Sequence, residues 1–445
     1  MKIYNKRDDA LEIVRRLKKA GHTAYWVGGC VRDMLRGMEP EDYDIATTAR
    51  PEQVRRLFRN TVAVGESFGV ILVIKRRTPF EVAAFRVDDS YSDGRRPDNV
   101  RFCSPEEDAK RRDFTVNGMY YDPIEERVID YVGGQADLKA GIIRAIGDPE
   151  ARFGEDKLRL MRAARFAALL GFEVEERTRL AIAKHAGEIA LVSAERIRDE
   201  IVKILSGPRP RMGIELLSGY GLLGVVLPEV EAMKGVRQPP QFHPEGDVWT
   251  HTMILLDNLP EQRESELAMA ALLHDVGKPP TYAEAERIRF DGHTTVGAEM
   301  AAAIMRRLRF SRKQQDLVES LVREHLKFME ASNMRMSTLK RFMRLDRFDL
   351  HLEIHRLDCI ASHGDLDNYH YVKNKLKEFD EAEKEQALRP RPIITGNDLI
   401  AMRLTPGPLF KEILEAVEDA QLEGRISSRE DAIRFVNDYI KARRF

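Results

Sequence analysis

The N-terminal part of the chain shows both helical and strand patterns of hydrophobic residues. Apolar residues at helical spacing predict a helix over residues 8–20, and Gly21 follows it as a helix end. An apolar run then predicts a short strand at 24–27, which breaks at Gly28 and Gly29 and leads into a second helix. Further predicted elements are a short helix at 51–58 and strands at 61–64, 69–74 and 79–85.

Helical periodicity dominates the rest of the chain. Residues 151–171 have the pattern of one strong helix, and residues 176–227 that of a helical region broken at 207–213. Towards the C-terminus a turn precedes a helix that begins near Asn397. These patterns predict an α+β protein in which a small mixed sheet is followed by an all-α region.

Length and composition indicate several ordered domains. At 445 residues the chain is too long for one core, and 43% hydrophobic with 33% charged residues is typical of an ordered, soluble protein. Lysine plus arginine (72) nearly balances aspartate plus glutamate (73), so net charge gives no argument for nucleic acid binding. Only local basic patches could supply it, and these occur at 306–313, 339–347 and 441–445.

The cysteines and the apolar runs predict a cytoplasmic protein. Cys30, Cys103 and Cys359 are far apart and form no CxxC pair, as expected of reduced thiols. The N-terminal segment has no apolar signal core, and no later apolar run approaches the ~18 residues of a membrane span. We therefore expect neither export nor a membrane partner.

A glycine turn is followed closely by a pair of carboxylates. Gly28 and Gly29, with Arg32 behind them, leave backbone N–H groups at a helix start, where a phosphate can bind. Asp42 and Asp44 alternate with larger apolar residues, so a strand would place both on one face. Two such carboxylates repel each other unless a cation lies between them. A pair of hard divalent ions held in this way performs nucleotidyl transfer.

Both halves of this pattern have an ordinary alternative. A glycine pair alone is not specific, and an Asp-x-Asp at a strand edge is more often a solvated face. Glu81 opens the last predicted strand. It is either a third metal carboxylate beside Asp42 and Asp44 or a solvated residue.

A second polar motif, KRRDFTVNGM, spans residues 110–119. Arg111 and Arg112 can each bind phosphate oxygens through two N–H groups, and Asp113 can accept hydrogen bonds from sugar hydroxyls. Asn117 adds a further polar group to the motif. The motif therefore suits triphosphate and ribose, although by itself it is also typical of a surface cluster.

A third cluster lies on the helix predicted at 151–171. Arg159, Arg162 and Arg165 recur every three residues and therefore share one face, with Asp156 one turn before them. The same spacing also suits salt bridges on a solvated helix, so spacing alone does not decide between the two interpretations.

Histidines cluster in the second half of the chain, on apolar helices that repeatedly present one polar residue. A single histidine of this kind is usually a core residue, but the adjacency of His274 and Asp275 is unusual. Neighbours on a helix point roughly 100° apart, so one metal takes both only where the helix end distorts. Residues 277–279, Gly-Lys-Pro, supply that break. Imidazoles and carboxylates together suit Mn, Ni, Co or Fe better than Ca.

The head motifs resemble a known family. VGGCVRD, EDYDIATTA and RRDFTVNGM follow, in order, the signature of the DNA polymerase beta-like nucleotidyltransferases, in the branch of class II tRNA CCA-adding enzymes and bacterial poly(A) polymerases. Only Gly118 departs from the family's RRDFTxNAM, a change that should matter little. The resemblance covers about the first 230 residues and implies that Asp42 and Asp44 hold Mg²⁺. The nucleotide-binding residues that it implies are Gly28, Gly29, Arg32, Arg111, Arg112, Asp113 and Asn117.

The same resemblance implies how the base is chosen. Asp156 and Arg159 present an acceptor and donors to the Watson–Crick edge of the incoming base, so that side chains replace a template. Aspartate accepts from the exocyclic amine that C and A share, arginine donates to their ring acceptors, and G and U present the opposite pattern. Arg162 and Arg165 then lie near the phosphates.

Residues from about 235 to 375 resemble the HD phosphohydrolase superfamily, H...HD...D. This resemblance implies a divalent transition metal (Mn, Ni, Co or Fe) and phosphatase or cyclic phosphodiesterase activity, with Lys278 near the phosphate. The implied ligands are His251, His274, Asp275 and Asp358, with His293 and His325 at positions where fuller members add ligands.

We therefore expect a tRNA nucleotidyltransferase that adds CCA, or its terminal A, to tRNA 3′ ends from CTP and ATP with Mg²⁺. A poly(A) polymerase, an enzyme adding only CC, and an HD phosphohydrolase with a non-catalytic RNA-binding head remain alternatives. The polar loop 88–100 is expected to adjust the pocket for successive nucleotides, which argues against CC-only addition. The expected domains are a catalytic head (1–148), a neck for base selection and tRNA binding (149–232), an HD domain (233–380) and a helical tail (381–445).

Overall fold

The computed structural model describes residues 5–65, 69–89, 99–378, 388 and 390–443. The chain divides into two compact units. The first comprises Met1–Ala232 with Arg307–Phe310, and the second Met233–Arg306 with Ser311–Phe445. The finer division into four domains stays a prediction.

The first unit is built on a seven-stranded mixed sheet with the order β3-β4-β5-β2-β1-β8-β9. Strand β2 runs parallel to β5, and the other neighbouring pairs are antiparallel. The strands are β1 Ala24–Val27, β2 Asp44–Thr47, β3 Thr61–Gly65, β4 Val70–Lys75, β5 Thr78–Ala84, β8 Tyr120–Asp122 and β9 Arg127–Ile129. A separate ribbon pairs β6 Arg86–Asp89 with β7 Asn99–Phe102. The predicted mixed-sheet head is thus confirmed.

Both faces of this sheet are covered. Trp26 packs into a core with the apolar stripe of the first helix, whereas its neighbour Val27 packs with Phe85 and Tyr120 in a second core. Adjacent strand residues point to opposite faces, so one strand anchors both cores. The head helices are α1 Lys6–Lys19, α2 Gly29–Leu35, α3 Pro51–Leu57, α4 Pro105–Lys110 and α5 Gly134–Ala140, with a 3-10 turn at Thr115–Asn117.

The predicted glycine turn is present between β1 and α2. Gly28 has a φ of 76°, a left-handed conformation that side chains rarely adopt, and α2 begins at the next residue. The loop predicted to adjust the pocket lies between β6 and β7, and its residues 90–98 are outside the described residues.

The helical neck differs from prediction in one place. The pattern predicts one helix over 151–171, but two helices are present, Pro149–Glu155 and Leu158–Leu170. Asp156 has an extended backbone (φ −143°, ψ 107°), and its Oδ1 accepts a hydrogen bond from the Leu158 N–H at 3.0 Å. A side chain that satisfies the first N–H groups of a helix starts a new helix.

Helices dominate the rest of this region, as the pattern predicts, but the predicted break at 207–213 is shorter, because a helix begins at Pro210. The elements from β10 to α12 are β10 Ile142–Ile143, α6 Pro149–Glu155, α7 Leu158–Leu170, β11 Glu173–Val174, α8 Glu176–His185, a 3-10 helix Ala186–Leu191, α9 Ala194–Leu205, α10 Pro210–Gly219, α11 Leu223–Val226 and α12 Pro228–Glu231.

The second unit is mainly helical. Its elements are α13 Val248–Asp257, α14 Ser265–Leu273, α15 Lys278–Thr281, β12 Ala283–Glu284, β13 Ile288–Arg289, α16 His293–Arg307, α17 Arg312–Glu324, a 3-10 helix His325–Asn333, α18 Met336–Phe342, α19 Phe348–Ala361, α20 Asp367–Glu378, α21 Gly396–Ala401, α22 Pro408–Leu422 and α23 Arg429–Arg443. In the part of the chain that the structure describes, no helix has the length and apolarity needed to cross a bilayer. All the cysteines are free thiols.

Candidate active site and metal centre

One pocket of about 450 Å³ in the first unit collects the motifs of the head and neck. Its walls come from the turn after β1, the start of β2, the segment after α4 and one face of α7. The predicted site residues that line it are Gly28, Gly29, Arg32, Asp44, Arg111, Arg112, Asp113, Asn117, Asp156, Arg159, Arg162 and Arg165. Residues as far apart in sequence as Gly28 and Arg165 therefore meet in one place.

Asp42 is the predicted site residue that this pocket does not include. The strand begins at Asp44, opposite Val27, so the expectation that β2 carries both carboxylates is wrong. Beyond Val27 the chain turns at Gly28, which leaves Asp42 without a strand partner. Asp42 is 82% exposed and lies 3.0 Å from Lys6 Nζ. Burial still alternates across the stretch, since Tyr43 is buried between the two exposed aspartates.

Acidic charge concentrates at this end of β2. Reduced hydration and, after it, the charges of Glu81 and Asp42 raise the pKa of Asp44, and Arg112 opposes them, so that the pKa lies at about 6. Glu81 directly precedes Val82, which pairs with Ile45. Carboxylates that disfavour each other's ionisation fit a divalent cation, because a bound cation removes the repulsion. Glu81 is exposed and its charge acts on Asp44, and whether it is a third metal carboxylate stays a prediction.

A buried aspartate that sequence reasoning missed holds the two adjacent arginines. Asp108 is 1% exposed, accepts from Arg111 Nε at 2.9 Å and Tyr120 Oη at 2.7 Å, and lies 3.1 Å from Arg112 Nη2. Burial raises the pKa of Asp108, but Arg112 and Arg111 outweigh it and lower the pKa to about 2. The available signal was the helical spacing of three and four residues from Asp108 to the arginines.

We expect Asp108→Asn to lower the free energy of unfolding by about 3 kcal/mol at pH 7, because it leaves buried guanidinium groups without a counter-charge. The folded-state pKa of Asp108 lies below its ordinary value of 3.8, so its contribution is complete above about pH 4 and is lost as the pH falls towards 2. Urea unfolding of variant and wild type at several pH values measures this difference.

The matched control is Glu106→Gln on the same helix, whose partner Lys110 is 60% exposed. Such a solvated pair contributes little to the free energy of unfolding, so this variant should have the same stability in urea as the wild type. An Asp108→Asn protein that matches the control at pH 7 would contradict the assignment.

The two residues assigned to base selection are held by neighbours. Asp156 Oδ2 accepts from Arg196 Nη2 of α9 at 2.7 Å. Arg159 Nη1 donates to Glu155 Oε2 at 2.6 Å and to the Arg152 carbonyl at 2.9 Å, and its Nη2 donates to the Arg111 carbonyl at 3.0 Å. These bonds fix the direction of both side chains at the pocket wall. Arg196, which also lines the pocket, was missed from the sequence.

The other two arginines of α7 are also anchored. Arg162 Nε donates to Asp113 Oδ2 at 2.8 Å, and Arg165 Nε donates to Glu200 Oε2 at 2.6 Å. Burial raises the pKa of Asp113, but Arg162 overrides it and holds the pKa at about 2. Asp113 is therefore an ionised anchor for Arg162.

A second constellation forms in the second unit. The predicted metal ligands come from the interiors of α13 and α19 and from the ends of α14, α16 and α17. They are His251, His274, Asp275, His293, His325 and Asp358. The distortion predicted after α14 is present, because α14 ends at Leu273 and α15 starts at Lys278.

Nitrogen and oxygen atoms of these six residues form two groups of three. His251 Nε2 lies 3.2 Å from His274 Nε2 and 3.0 Å from Asp358 Oδ1, and the three residues can share one ion. Asp275 forms the second group with His293 and His325, at 3.7 and 3.8 Å from its Oδ1.

Asp275 belongs to both groups by position. Its Oδ2 lies 3.2 Å from His274 Nε2, and its Oδ1 faces the second group. Asp275 Oδ1 and His293 Nε2 are buried without a hydrogen-bond partner among the described residues. Buried polar atoms of this kind fit coordination to metal. Lys278 Nζ lies 2.7 Å from Asp275 Oδ2 and donates to Gln238 Oε1 at 2.6 Å.

Three of the histidines are oriented by the backbone. The Nδ1 atoms of His274, His293 and His325 lie 2.9, 2.8 and 2.7 Å from the carbonyl oxygen three residues earlier. A carbonyl only accepts, so Nδ1 carries the proton and Nε2 keeps a lone pair. Burial also lowers the pKa of His325 to about 4, which keeps its ring neutral at pH 7.

Family comparisons agree with this division of sites. The sequence matches the poly A polymerase head domain over residues 24–144, the probable RNA and SrmB-binding site of polymerase A over 171–234, and the HD domain over 247–353. The chain thus combines a poly A polymerase head domain with an HD domain, and the two candidate sites lie within these two regions.

Comparison with individual relatives identifies the family more closely. The CCA-adding enzyme of Streptococcus mutans is 33% identical over 436 residues, which is 96% of this chain and 95% of the relative. The crystal structure of the Bacillus stearothermophilus CCA-adding enzyme in complex with CTP has a TM-score of 0.73 and 26% identity, and the match covers 99% of both chains. The chain belongs to the family of the CCA-adding enzymes, as the motifs predicted.

Other relatives match more closely over a shorter region. The CCA-adding enzyme of Leuconostoc mesenteroides is 46% identical over 209 residues, 47% of this chain. That of Ligilactobacillus salivarius is 45% identical over 207 residues, 46% of this chain. These matches span 52% and 51% of the two relatives, so the chain spans about half the length of these relatives.

Proposed function

We propose that the protein adds CCA, or its terminal A, to the 3′ ends of tRNA from CTP and ATP. One observation carries this proposal: a single pocket joins the acidic end of β2, the arginines after α4 and the Asp156–Arg159 pair. The acidic end of β2 would bind the metal, the arginines would bind the triphosphate, and the Asp156–Arg159 pair would bind the base. A reaction on tRNA with nucleoside triphosphates is also a cytoplasmic one.

Asp42 and Asp44, with Glu81 beside them, are the residues that would hold Mg²⁺. When bound, Mg²⁺ supplies activation of the attacking hydroxyl and stabilisation of the leaving pyrophosphate. The protein's own contribution is positioning. Arg32 donates to Asn117 Oδ1 at 2.8 Å, and both residues line the pocket beside Gly28, where they would bind the triphosphate. Such fixed donors stabilise charge without having to reorganise during the reaction.

Base selection rests on Asp156 and Arg159. We expect Asp156→Asn to lower kcat/KM for CTP and ATP by about 10–100-fold, since a hydrogen bond to a charged group contributes about 1.5–3 kcal/mol. The asparagine oxygen still caps α7, but its amide group offers a donor where the reaction needs an acceptor. Single-nucleotide incorporation with each of the four triphosphates measures the loss, and the ratio of UTP to CTP use should rise.

A suitable control for this variant is Glu150→Gln, which removes an acid from α6 in an exposed ion pair with Lys184. It should leave the nucleotide preference unchanged. If the Asp156→Asn enzyme keeps the nucleotide preference of the wild type, Asp156 does not take part in base selection.

Product length separates this proposal from its nearest alternatives. Supplied with ATP alone and a tRNA that ends in CC, a CCA-adding enzyme stops after one A, whereas a poly(A) polymerase makes a long tail. Transcripts that end before the first C, after C and after CC, each tested with CTP and ATP separately, distinguish full CCA addition from CC-only and A-only addition. Addition of no nucleotide to any transcript would refute the proposal.

The six residues His251, His274, Asp275, His293, His325 and Asp358 form what we call the histidine centre. This centre favours a second activity, the hydrolysis of phosphoesters. Six buried or half-buried imidazoles and carboxylates with matched orientations are a donor set that suits Mn, Ni, Co or Fe. When bound, such a metal supplies a hydroxide nucleophile at neutral pH. A cavity of about 320 Å³ opens onto His293, His325 and Asp358 and leaves room for a substrate. The activity of the full chain towards a phosphodiester test substrate with each metal tests this proposal.

A further inference from the structure

His251 differs from the other histidines of the metal centre in what orients it. Its Nδ1 lies 2.7 Å from Glu245 Oε1, whereas His274, His293 and His325 use backbone carbonyls. Glu245 stands in the loop before α13 and is six residues from His251 in sequence. Its carboxylate therefore has the position that a carbonyl has for the other three rings.

The same carboxylate oxygen also holds a second imidazole. His243 Nδ1 lies 2.9 Å from Glu245 Oε1, and the rings of His243 and His251 are 5.0 Å apart in a perpendicular arrangement. A carboxylate only accepts, so both rings carry a proton on Nδ1, which leaves Nε2 of each ring as the nitrogen that can meet a metal or a substrate. His251 directs Nε2 at His274 and Asp358, while His243 lines the cavity that opens onto the centre.

The loop that carries Glu245 is tied in place. Asp247 caps α13 by accepting from the Thr250 N–H at 2.8 Å, and its other oxygen accepts from the Gly235 N–H at 2.7 Å. The Glu245 side chain is only 7% exposed, and its Oε2 is buried without a hydrogen-bond partner among the described residues. Burying a carboxylate oxygen without a hydrogen-bond partner lowers the stability of the fold, which indicates that this carboxylate has a functional role.

We propose that Glu245 is a positioning residue of the histidine centre, which fixes the tautomer of His251 for metal binding and of His243 for contact with the phosphoester. The inference rests on the proposed hydrolytic activity and adds two residues to it. Glu245 acts on the metal through His251. We assign His243 to the substrate, because it lines the cavity that opens onto the centre, whereas His251 directs Nε2 at His274 and Asp358.

Metal affinity is the first test, because it does not depend on turnover. Titration calorimetry of the full chain with Mn²⁺ should show a dissociation constant about 10–100-fold higher for Glu245→Gln than for wild type, the usual effect of losing a carboxylate behind a metal-bound histidine. Glu245→Asp should recover part of the loss. The matched control is Glu299→Gln, which neutralises an exposed acid on α16 and should bind Mn²⁺ as wild type does.

Hydrolysis separates the two histidines. His243→Gln should keep Mn²⁺ affinity within about twofold of wild type, because His243 does not orient a proposed metal ligand. It should raise KM for a phosphodiester test substrate, because His243 is proposed to contact the phosphoester. A His243→Gln protein with unchanged KM, or a Glu245→Gln protein with unchanged Mn²⁺ affinity, would overturn the proposal. If wild type itself binds no Mn²⁺, the proposed hydrolytic centre fails rather than the role of Glu245.

A measurement on the wild-type protein keeps the inference testable if the variants do not fold. Nitrogen-15 histidine labelling with the diamagnetic ion Zn²⁺ bound reports directly which ring nitrogen carries the proton. His243 and His251 should both appear as the Nδ1–H tautomer. An Nε2–H form of His243 would refute the shared anchor.

Discussion

Asp44→Asn is expected to reduce nucleotide addition to tRNA at least about a thousandfold, because a metal held by this carboxylate supplies several kcal/mol of transition-state stabilisation. Single-turnover incorporation of CTP and ATP at saturating Mg²⁺ measures the loss. Asp42→Asn should follow in the same direction, since its charge belongs to the same acidic cluster.

Stability distinguishes this catalytic loss from misfolding. The pKa of Asp44 is raised above its ordinary value, so the folded state disfavours the charged form, and removing the charge should leave the unfolding temperature equal or higher. Glu41→Gln, an exposed acid of the same segment, should retain full activity. An Asp44→Asn enzyme that adds nucleotides within tenfold of wild type would place the metal elsewhere.

His274→Ala should abolish hydrolysis of a phosphodiester test substrate, by at least about a hundredfold, and leave nucleotide addition intact. The residue is fully buried, and its Nε2 lies 3.2 Å from both His251 Nε2 and Asp275 Oδ2, so its loss would remove a proposed ligand of the first group. Losing a residue that hydrogen-bonds to a metal ligand usually lowers activity 10–100-fold, and losing the ligand itself should lower activity more. Hydrolysis of bis(p-nitrophenyl) phosphate with Mn²⁺ and tRNA extension with CTP and ATP measure the two activities.

The control for this variant is His370→Ala on α20, an exposed histidine that belongs to neither ligand group. Both activities should survive it. If His274→Ala and Asp44→Asn each removed both activities, the protein would not have two independent centres.

Local patterns, together with the family resemblance, predicted most of the residues that meet in each site. Arg159, Arg162 and Arg165 share a wall because the helical period places them there, and Gly28 marks the turn because few other residues adopt its conformation. The residues that meet in the histidine centre were recognisable from the HD resemblance and from the adjacency of His274 and Asp275, and their role as metal ligands stays a prediction.

The partners that hold these residues were not predictable. Asp108, Arg196, Glu200 and Glu245 each bind a predicted site residue. Only Asp108 had a local signal, its helical spacing to the two arginines, and the local patterns of the other three do not distinguish them from solvated charges. Three of them come from another element or a loop, so their role depends on tertiary contacts. The helix break at Asp156 was missed for a related reason, because a capping side chain outweighed a continuous helical pattern.

Gly118 shows what a motif comparison leaves out. The family has alanine there, and the exchange was expected to matter little. A Cβ atom at Gly118 would lie 2.7 Å from Val132 Cγ2 and 3.0 Å from Ile146 Cδ1. Large neighbours occupy the volume of the missing methyl group, so the glycine is part of the packing of this chain. Only the three-dimensional structure reveals such compensation.

The anchored arginines of the head pocket have a consequence for competition among anions. A guanidinium has five N–H donors, and a carboxylate such as Asp113 or Glu200 uses at most two of them, so each arginine stays oriented while much of its charge is neutralised. We expect small ions such as sulfate to gain little at Arg162 and Arg165, because the paired carboxylates offset the attraction of these two guanidinium groups. Selection therefore depends on matching the direction of many donors at once, and occupancy by a nucleotide should change little with ionic strength.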